Sequence, residues 1–190
     1  KPTFITGNKK KIAEAKMILG DINFKELELT EIQSDDAKKV IEAKLDEALK
    51  FVNPSIFVED TSLEFQELKG LPGPFTKYFV KNLGANGLWE VFGKMKNNKI
   101  SAIALIGLAL ENGEKYFFEG RVEGKIVEPR GESGWGFDPI FEETTTGKTF
   151  AEMTEVEKNS ISHRHKAFHE LKKFLEGTYS SKSSEGNIEE

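Results

Sequence analysis

The turn made by Thr6, Gly7 and Asn8 lies where a β-rich run ends and a helical pattern begins, and lysines occupy residues 9–11 directly after it. Free backbone N–H groups and the positive end of the helix dipole favour anions at such a helix start. Gly7 permits close approach of a ligand, Asn8 can cap the helix, and a lysine can reach a phosphate. The turn is therefore a candidate phosphate site, and an ordinary capped helix with a solvated lysine run is the alternative interpretation.

Two adjacent carboxylates, Glu59 and Asp60, follow an apolar run at residues 56–58, and Thr61 comes next. Hard cations such as Mg²⁺ bind carboxylate oxygens, and ligands of α/β sheets favour the carboxyl ends of strands. Neighbouring strand residues point to opposite faces, so we expect only one of the two carboxylates to face a ligand. We expect the strand to end at Asp60, and a polar strand exit with an Asp turn is the alternative.

Trp135, Phe137 and Asp138 lie in a glycine-rich loop with the order Gly-Trp-Gly-Phe-Asp-Pro at residues 134–139. Aromatic rings in such a loop can stack on a flat heterocycle while the carboxylate accepts hydrogen bonds from its N–H groups. Base–aromatic stacking contributes about 1–3 kcal/mol. The loop is a candidate clamp for a heterocycle, and burial of the two rings in the core is the alternative.

A further polar segment, residues 158–164, leads into the last predicted helix, for which Ser162 is a suitable N-cap. The first turn of that helix would offer hydroxyl, imidazole and guanidinium donors from Ser162, His163 and Arg164. Such a set could recognise a carbonyl oxygen. A capped helix with surface charges is the alternative interpretation.

Strands and helices alternate in the first third of the chain, which predicts an α/β fold with a parallel or mixed sheet. Strand-like runs stand at residues 3–6, 24–29, 56–58, 100–110 and 116–122. Helical patterns stand at residues 12–19, 41–52, 75–83, 88–95 and 161–175. Asn112 and Gly113 form a strong hairpin signal between the two long strands, and Gly177 is expected to end the last helix. A hairpin between two α/β parts predicts two lobes with a cleft between them.

The chain has 190 residues, no cysteine and a formal net charge of −5. Without cysteine, disulfide frameworks, zinc–thiolate sites, iron–sulfur clusters and thiol nucleophiles are excluded. The acidic balance argues against a nucleic-acid-binding protein, and the longest apolar run is far shorter than the ~20 residues that span a bilayer. We therefore expect a cytoplasmic protein with neither nucleic acid nor membrane as partner. Residues 1–177 are expected to form a single two-lobed domain and residues 178–190 a mobile polar tail.

Together these motifs describe one ligand, a nucleoside triphosphate with Mg²⁺, and their order closely resembles the inosine triphosphate pyrophosphatase family. The matching stretches are residues 4–11, 58–61, 70–74, 134–139, 150–153 and 157–164. The resemblance implies an elongated two-lobed α/β fold with a long mixed sheet flanked by helices, and a homodimer. It also implies hydrolysis of ITP, dITP and XTP to the monophosphate and pyrophosphate, with Mg²⁺ or Mn²⁺.

The resemblance also implies a role for individual residues. Substrate phosphates would be bound by Thr6, Gly7, Asn8, Lys11, Lys44 and Thr61. The base would be bound by Trp135, Phe137, Asp138, Lys158, Ser162, His163 and Arg164. The metal ligands would be Glu31 and Asp60, and the catalytic residues Asp60, Lys11 and Lys44. Thr30 stands where the family has proline before this glutamate, and the two aromatics of the loop stand in the reverse of their usual order.

The corresponding mechanism is attack of water between the α and β phosphates, with Lys11 and Lys44 stabilising the spreading negative charge. Donors from Lys158 or Arg164 would favour a 6-oxo purine over a 6-amino purine. Two alternatives stay open: a house-cleaning pyrophosphatase with another base preference, and a non-catalytic sensor that binds purine nucleotides.

Overall fold

The computed structural model describes the backbone of residues 1–185 and the side chains of residues 1–177. The α-helices of this part are α1 (Lys9–Leu19), α2 (Ala37–Leu49), α3 (Thr76–Phe92), α4 (Glu155–Ile161) and α5 (His163–Glu185). The strands are β1 (Thr3–Ile5), β2 (Asn23–Lys25), β3 (Ile56–Phe65), β4 (Pro72–Gly73), β5 (Lys99–Ala109), β6 (Lys115–Ile126) and β7 (Phe141–Glu143). Short 3-10 helices lie at Asp138–Ile140 and Phe150–Glu152. None of these helices is both long enough and apolar enough to cross a bilayer.

The strands form one seven-stranded sheet in the order β2-β1-β3-β5-β6-β7, with β4 paired to β3 at the side. β1 runs parallel to both β2 and β3, whereas β3, β5, β6 and β7 pair antiparallel in succession. β3 pairs with β5 over its whole length, from Ile56 opposite Ala109 to Phe65 opposite Ile100. The predicted α/β fold with a long mixed sheet flanked by helices is confirmed.

Helices cover the two faces of this sheet because neighbouring strand residues point to opposite sides. On one face, Phe168 of α5 packs against Phe4 and Phe57, whose rings stack with centroids 4.5 Å apart. On the other face, Ile41 and Leu45 of α2 pack against the residues that flank Phe57 in β3. The antiparallel end of the sheet has its own apolar cluster, in which α3 meets β7 and the second 3-10 helix.

Three strands differ markedly in length from the sequence prediction, and one of them is β6, which was predicted at residues 116–122 and runs from Lys115 to Ile126. β3 does not end at Asp60 but continues to Phe65, because Leu63 and Phe65 are fully buried in the cluster under α3. Asp60 therefore lies in the middle of a strand. β2 is confined to Asn23–Lys25, so the second half of the strand predicted at residues 24–29 is irregular chain.

Helix boundaries differ as well. The two helical patterns at residues 75–83 and 88–95 belong to one helix, α3, which is kinked at Gly84 with φ of 66°. The predicted last helix is divided into α4 and α5 at Ser162, and Gly177 does not end α5, whose backbone continues to Glu185. Residues 186–190 of the predicted polar tail lie outside the described residues.

Candidate active site

A pocket of about 350 Å³ opens where β3, α3, the loop before the first 3-10 helix and the starts of α1 and α5 meet. Most of the predicted site residues line it: Asn8, Lys11, Glu31, Lys44, Asp60, Thr61, Trp135, Phe137, Asp138, Lys158, His163 and Arg164. Thr6, Gly7 and Ser162 are not part of the wall. The wall also includes four residues of α3 that the sequence interpretation missed: Thr76, Lys77, Val80 and Lys81.

Thr6 and Asn8 shape the turn that starts α1. The Asn8 side-chain oxygen accepts hydrogen bonds from the backbone N–H groups of Lys10 and Lys11, at 3.0 and 3.2 Å. The Thr6 hydroxyl oxygen accepts one from the Asn8 backbone N–H at 3.1 Å. Asn8 is thus the N-cap of α1, as its sequence position predicts. Thr6 acts on the pocket through the conformation of Asn8, while Lys11 itself lines the wall.

Glu59 lies behind the pocket wall as a fully buried carboxylate. Its Oε2 lies 2.9 Å from Lys11 Nζ and 3.6 Å from Arg164 Nε. Its Oε1 accepts a hydrogen bond from the Thr61 hydroxyl at 2.6 Å. Burial alone would raise the pKa of Glu59, but Lys11, Arg164 and the Thr61 hydroxyl lower it to about 2. An ionised Glu59 therefore holds Lys11 and Arg164 in place at neutral pH.

Asp60 is the carboxylate of this pair that faces the pocket. It has no hydrogen bond or ion pair with another side chain of residues 1–177. Burial raises the pKa of Asp60, and the charges of Glu59 and Glu31 act in the same direction against those of Lys44 and Lys11. Its oxygen lone pairs are therefore available to a cation or a water molecule.

Glu31 stands between two lysines at the same end of the pocket. Its Oε1 lies 3.1 Å from Lys44 Nζ, and its Oε2 forms an ion pair with Lys77. Burial would raise the pKa of Glu31, but the two lysines lower it overall. This end of the pocket combines an ionised carboxylate with ammonium groups that suit phosphate oxygens.

The carboxylates of the wall do not make a complete metal cage. Within the described residues, no group of three or more acidic or histidine side chains could hold a metal ion by itself. Mg²⁺ is commonly held by one or two carboxylates together with water and substrate phosphates. Asp60 and Glu31, both in the wall, fit a site of that kind.

Asp138 fixes the glycine-rich loop from inside. It is 3% exposed, and its Oδ2 accepts hydrogen bonds from Lys158 Nζ at 2.7 Å and from the Trp135 backbone N–H at 2.9 Å. Burial raises the pKa of Asp138, and the nearby Lys158 ammonium opposes that shift. Gly134 has φ of 76°, and a Cβ at this position would lie 2.1 Å from Asp138 Oδ2. The loop therefore requires glycine at residue 134, for its conformation and for the approach of the carboxylate.

The two aromatic residues of the loop lie in different surroundings. Trp135 is half-buried, and its ring centroid lies 5.2 Å from the Arg164 guanidinium, 5.8 Å from Lys158 Nζ and 5.7 Å from Lys10 Nζ. Phe137 is 7% exposed and belongs to the apolar cluster around β7, and it also lines the pocket. Trp135 is thus the more accessible of the two rings. The alternative of burial in the core applies in part to Phe137, which belongs both to the core and to the pocket lining.

The residues at the junction of α4 and α5 are buried. Ser162, His163 and Arg164 are at most 2% exposed, so the alternative of a helix start with surface charges is wrong. The Ser162 hydroxyl oxygen accepts a hydrogen bond from the His165 backbone N–H at 3.0 Å, as an N-cap does. Both ring nitrogens of His163 are buried without a partner among residues 1–177. Burial keeps the pKa of His163 well below its usual value, so a neutral imidazole faces the pocket.

Glu14 is a buried carboxylate that the sequence interpretation missed. It forms ion pairs with Lys158, at 3.6 Å, and with Arg164. Burial would lower the pKa of Arg164, but Glu59 and Glu14 raise it. Ion pairs therefore link α1, β3 and α5 behind the pocket. Glu14 stands on the apolar face of α1 beside Ala15, and that position was the signal that could have indicated its burial.

The α3 wall of the pocket is anchored by Thr76. Its hydroxyl donates a hydrogen bond to the Gly73 carbonyl at 2.6 Å and accepts one from the Leu63 backbone N–H at 2.9 Å. This anchor brings Lys77 and Lys81, four residues apart on one helix face, to the pocket. The Gly/Pro turn at residues 70–74 indicates that a helix begins after it, but nothing in the local sequence shows that this helix faces β3.

The arrangement has two chemically different ends. Trp135, Asp138, Lys158 and His163 offer a ring face with donors and acceptors, which suits a heterocycle. Lysines and carboxylates around Asp60 suit a polyanion together with a divalent cation. An elongated ligand that carries a heterocycle and phosphates fits both ends at once.

Comparison with known proteins gives a consistent result. A family model described as the Ham1 family matches residues 3–174. A protein of Ajellomyces capsulatus named inosine triphosphate pyrophosphatase is 42% identical over 180 residues, which cover 93% of this chain and 97% of that protein. A protein of the same name from Candida glabrata is 41% identical over 184 residues, with 91% and 96% covered.

Among solved structures, the Ham1 protein of Staphylococcus aureus matches with a TM-score of 0.81 at 27% sequence identity. The match covers 94% of this chain and 100% of the other. All residues of the pocket wall lie within the segment that the family model matches.

Proposed function

The chain belongs to the Ham1 family, and on that premise we propose that it hydrolyses ITP, dITP and XTP to the monophosphate and pyrophosphate. The observation that carries this activity is one pocket with an aromatic and hydrogen-bonding end and a lysine- and carboxylate-rich end. The names of the fungal relatives support ITP among these substrates.

The phosphates bind at the end of the pocket formed by α1, α2 and β3. Asn8 and Thr61 offer polar groups, and Lys11 and Lys44 stabilise the negative charge that spreads over the phosphate oxygens during the reaction. Asp60, whose carboxylate has no partner in the wall, orients or deprotonates the water that attacks the α phosphorus. The bond to the bridging oxygen breaks, and pyrophosphate leaves.

Asp60 and Glu31 are the residues that would hold Mg²⁺ or Mn²⁺ beside the phosphates. The ion, when bound, neutralises phosphate oxygens and favours departure of pyrophosphate. Glu31 is paired with Lys44 and Lys77 in the structure. If Glu31 bound a cation, these two ammonium groups would become free to contact phosphate.

The base binds between Trp135 and the polar groups behind it. Lys158 and Arg164 pair with carboxylates behind the ring, and their remaining N–H groups are donors for which a 6-oxo purine supplies an acceptor. A 6-amino purine presents a donor instead and leaves buried polar groups unpaired, which a site of this kind rejects strongly. We therefore assign the preference for inosine- and xanthosine-type bases to this end.

We further propose that residues 1–177 act as one two-lobed domain, and that the protein is a cytoplasmic homodimer. The dimer has support from exposed apolar side chains on and near α3, namely Leu71, Tyr78, Leu83 and Val91. Sedimentation of the full chain tests the dimer directly.

The activity is tested by measuring pyrophosphate release from ITP, XTP, dITP, GTP and ATP, each with Mg²⁺ and with EDTA. We expect release from the first three nucleotides only, and only with the metal. Pyrophosphate release from none of these three would overturn the proposed function. Tight binding of ITP without turnover would indicate a sensor, and turnover of another base would indicate a different house-cleaning enzyme.

A further inference from the structure

Lys81 differs from the other cations of the pocket wall in its pairing. Within the described residues, every other lysine or arginine of the wall forms an ion pair with a carboxylate, whereas Lys81 forms none. The pairs are Lys11 with Glu59, Lys44 and Lys77 with Glu31, and Lys158 and Arg164 with Glu14. Among the described residues, Lys81 is therefore the cation of the wall that pairs with no carboxylate.

The position of Lys81 follows from the geometry of α3. Lys81 stands four residues after Lys77, about 6 Å further along the helix axis, on the same face. Lys77 reaches Glu31 at the phosphate end of the pocket, and Thr76 fixes the start of the helix against β3. Lys81 is exposed and also lines the pocket, so a charged ligand that enters from solvent can reach its side chain.

The reacting α-phosphate must lie near Asp60, where water is activated in the proposed mechanism. The β- and γ-phosphates, which leave as pyrophosphate, then extend along the remaining cations of the wall. These distal phosphates carry most of the charge of a nucleoside triphosphate. An unpaired ammonium attracts them without first having to break an ion pair with the protein.

We propose that Lys81 contacts the β- and γ-phosphates of the substrate and makes the pocket prefer a triphosphate to a monophosphate. This role rests on the proposed function, because it takes a nucleoside triphosphate as the ligand. Lys81 is exposed and has no hydrogen bond or ion pair within the described residues, so its substitution should leave the fold intact.

The test compares the full-length protein with its Lys81→Ala and Lys81→Glu variants. Lys94→Ala is the matched control, because Lys94 is an exposed lysine just after α3 that does not line the pocket. Steady-state kinetics with ITP give KM and kcat. Calorimetry gives the dissociation constants of IMP, which lacks the distal phosphates, and of inorganic triphosphate. Thermal unfolding of each variant shows whether the fold is retained.

For Lys81→Ala we expect KM for ITP to rise about three- to tenfold, as for loss of one partly exposed charge-assisted contact. kcat and the dissociation constant of IMP should change less than about twofold, and inorganic triphosphate should bind more weakly. Lys81→Glu should raise KM further, and Lys94→Ala should change none of these values. Equal weakening of ITP and IMP, or no weakening of either, would overturn the role of Lys81.

Failure of the proposed function gives a different result. If the unsubstituted protein releases no pyrophosphate from ITP, that function fails. The role of Lys81 then depends on calorimetry alone. It survives if Lys81→Ala weakens inorganic triphosphate but not IMP, and it fails if both bind as before.

Discussion

Glu59 is a buried carboxylate that acts on the pocket only through the residues with which it pairs. It is 3% exposed as a residue, lies outside the pocket wall and pairs with Lys11 and Arg164, which both belong to that wall. A buried ion pair seldom stabilises a fold more than apolar side chains of the same size would, because both charges lose their hydration. We interpret Glu59 as a positioning residue that sets where the two cations stand.

Replacing Glu59 by glutamine tests this interpretation. Glu59→Gln keeps the shape of the side chain but leaves the charges of Lys11 and Arg164 less compensated. We expect the free energy of unfolding at pH 7 to fall by about 3 kcal/mol, as for other broken buried pairs. Urea denaturation measures this loss. Asp46→Asn, which removes an exposed partner of Lys115, is the control and should cost less than about 1 kcal/mol.

The effect of Glu59→Gln should depend on pH in a defined direction. The pKa of Glu59 is lowered from 4.5 to about 2, so its stabilising effect is fully present above pH 4.5 and disappears as the pH falls towards 2. The difference in unfolding free energy between the two proteins should therefore shrink over that interval. A difference that stays constant from pH 7 to pH 2.5 would contradict the assignment of the charge to Glu59.

Asp60, in contrast to Glu59, should contribute to activity and not to stability. Burial raises the pKa of Asp60, which means that the folded protein disfavours its charge. We expect Asp60→Asn to leave the unfolding free energy unchanged or slightly higher, while kcat for ITP falls at least about a hundredfold. Pyrophosphate release and urea denaturation measure the two quantities. Near-normal turnover by this variant would remove Asp60 from the catalytic role.

At the level of secondary-structure elements, the loop at residues 134–138 depends on glycine for a local reason. Gly134→Ala would bring a Cβ against the Asp138 carboxylate and strain a residue with positive φ. Gly113→Ala strains a residue with φ of 85° in open space, so it is the matched control. Gly113→Ala should lose about 1 kcal/mol of stability from its positive φ alone, and Gly134→Ala should lose more because the contact with Asp138 adds to the same strain. Only Gly134→Ala should raise KM for ITP, since only it displaces the Asp138–Lys158 pair, and equal KM values would contradict the clamp.

Local sequence signals predicted the parts of the site that depend on local structure. Asn8 and Ser162 were identified as N-caps, because a capping side chain interacts within its own turn. The alternation of side chains along a strand predicted that only one of two adjacent carboxylates would face a ligand, and of the two only Asp60 lines the pocket. The alternating helical and strand patterns predicted the α/β fold, because these patterns also depend on local structure.

The parts that depend on tertiary packing were missed or misjudged. The end of β3 was placed at Asp60 because the polar stretch resembles a strand exit, yet pairing with β5 carries the strand to Phe65. Lys77 lies at the site because Thr76, at the start of α3, is hydrogen-bonded to β3, and the spacing of residues along the sequence does not predict that contact. The burial of Arg164 was not predicted, and surface charges at this helix start stayed open as an alternative, because its partner Glu14 lies 150 residues away.

Across the whole molecule, charge is distributed unevenly. The chain has a formal net charge of −5, yet the pocket wall contains six lysine and arginine side chains against three carboxylates. The net charge therefore opposes bulk attraction of polyanions, whereas the pocket wall has a local excess of positive charge that attracts a small anion. The apolar clusters on the two faces and at the antiparallel end of the sheet hold the elements that carry these charges.

The central claim is that water attacks the α phosphorus of ITP beside Asp60. Its most direct test is hydrolysis of ITP in water labelled with oxygen-18, followed by mass spectrometry of the products. Attack of water on the α phosphorus places the label in IMP, and we expect one labelled oxygen in IMP and none in pyrophosphate. Label in pyrophosphate, or release of orthophosphate with IDP, would mean that water attacks elsewhere. Either result would contradict the placement of the α-phosphate beside Asp60.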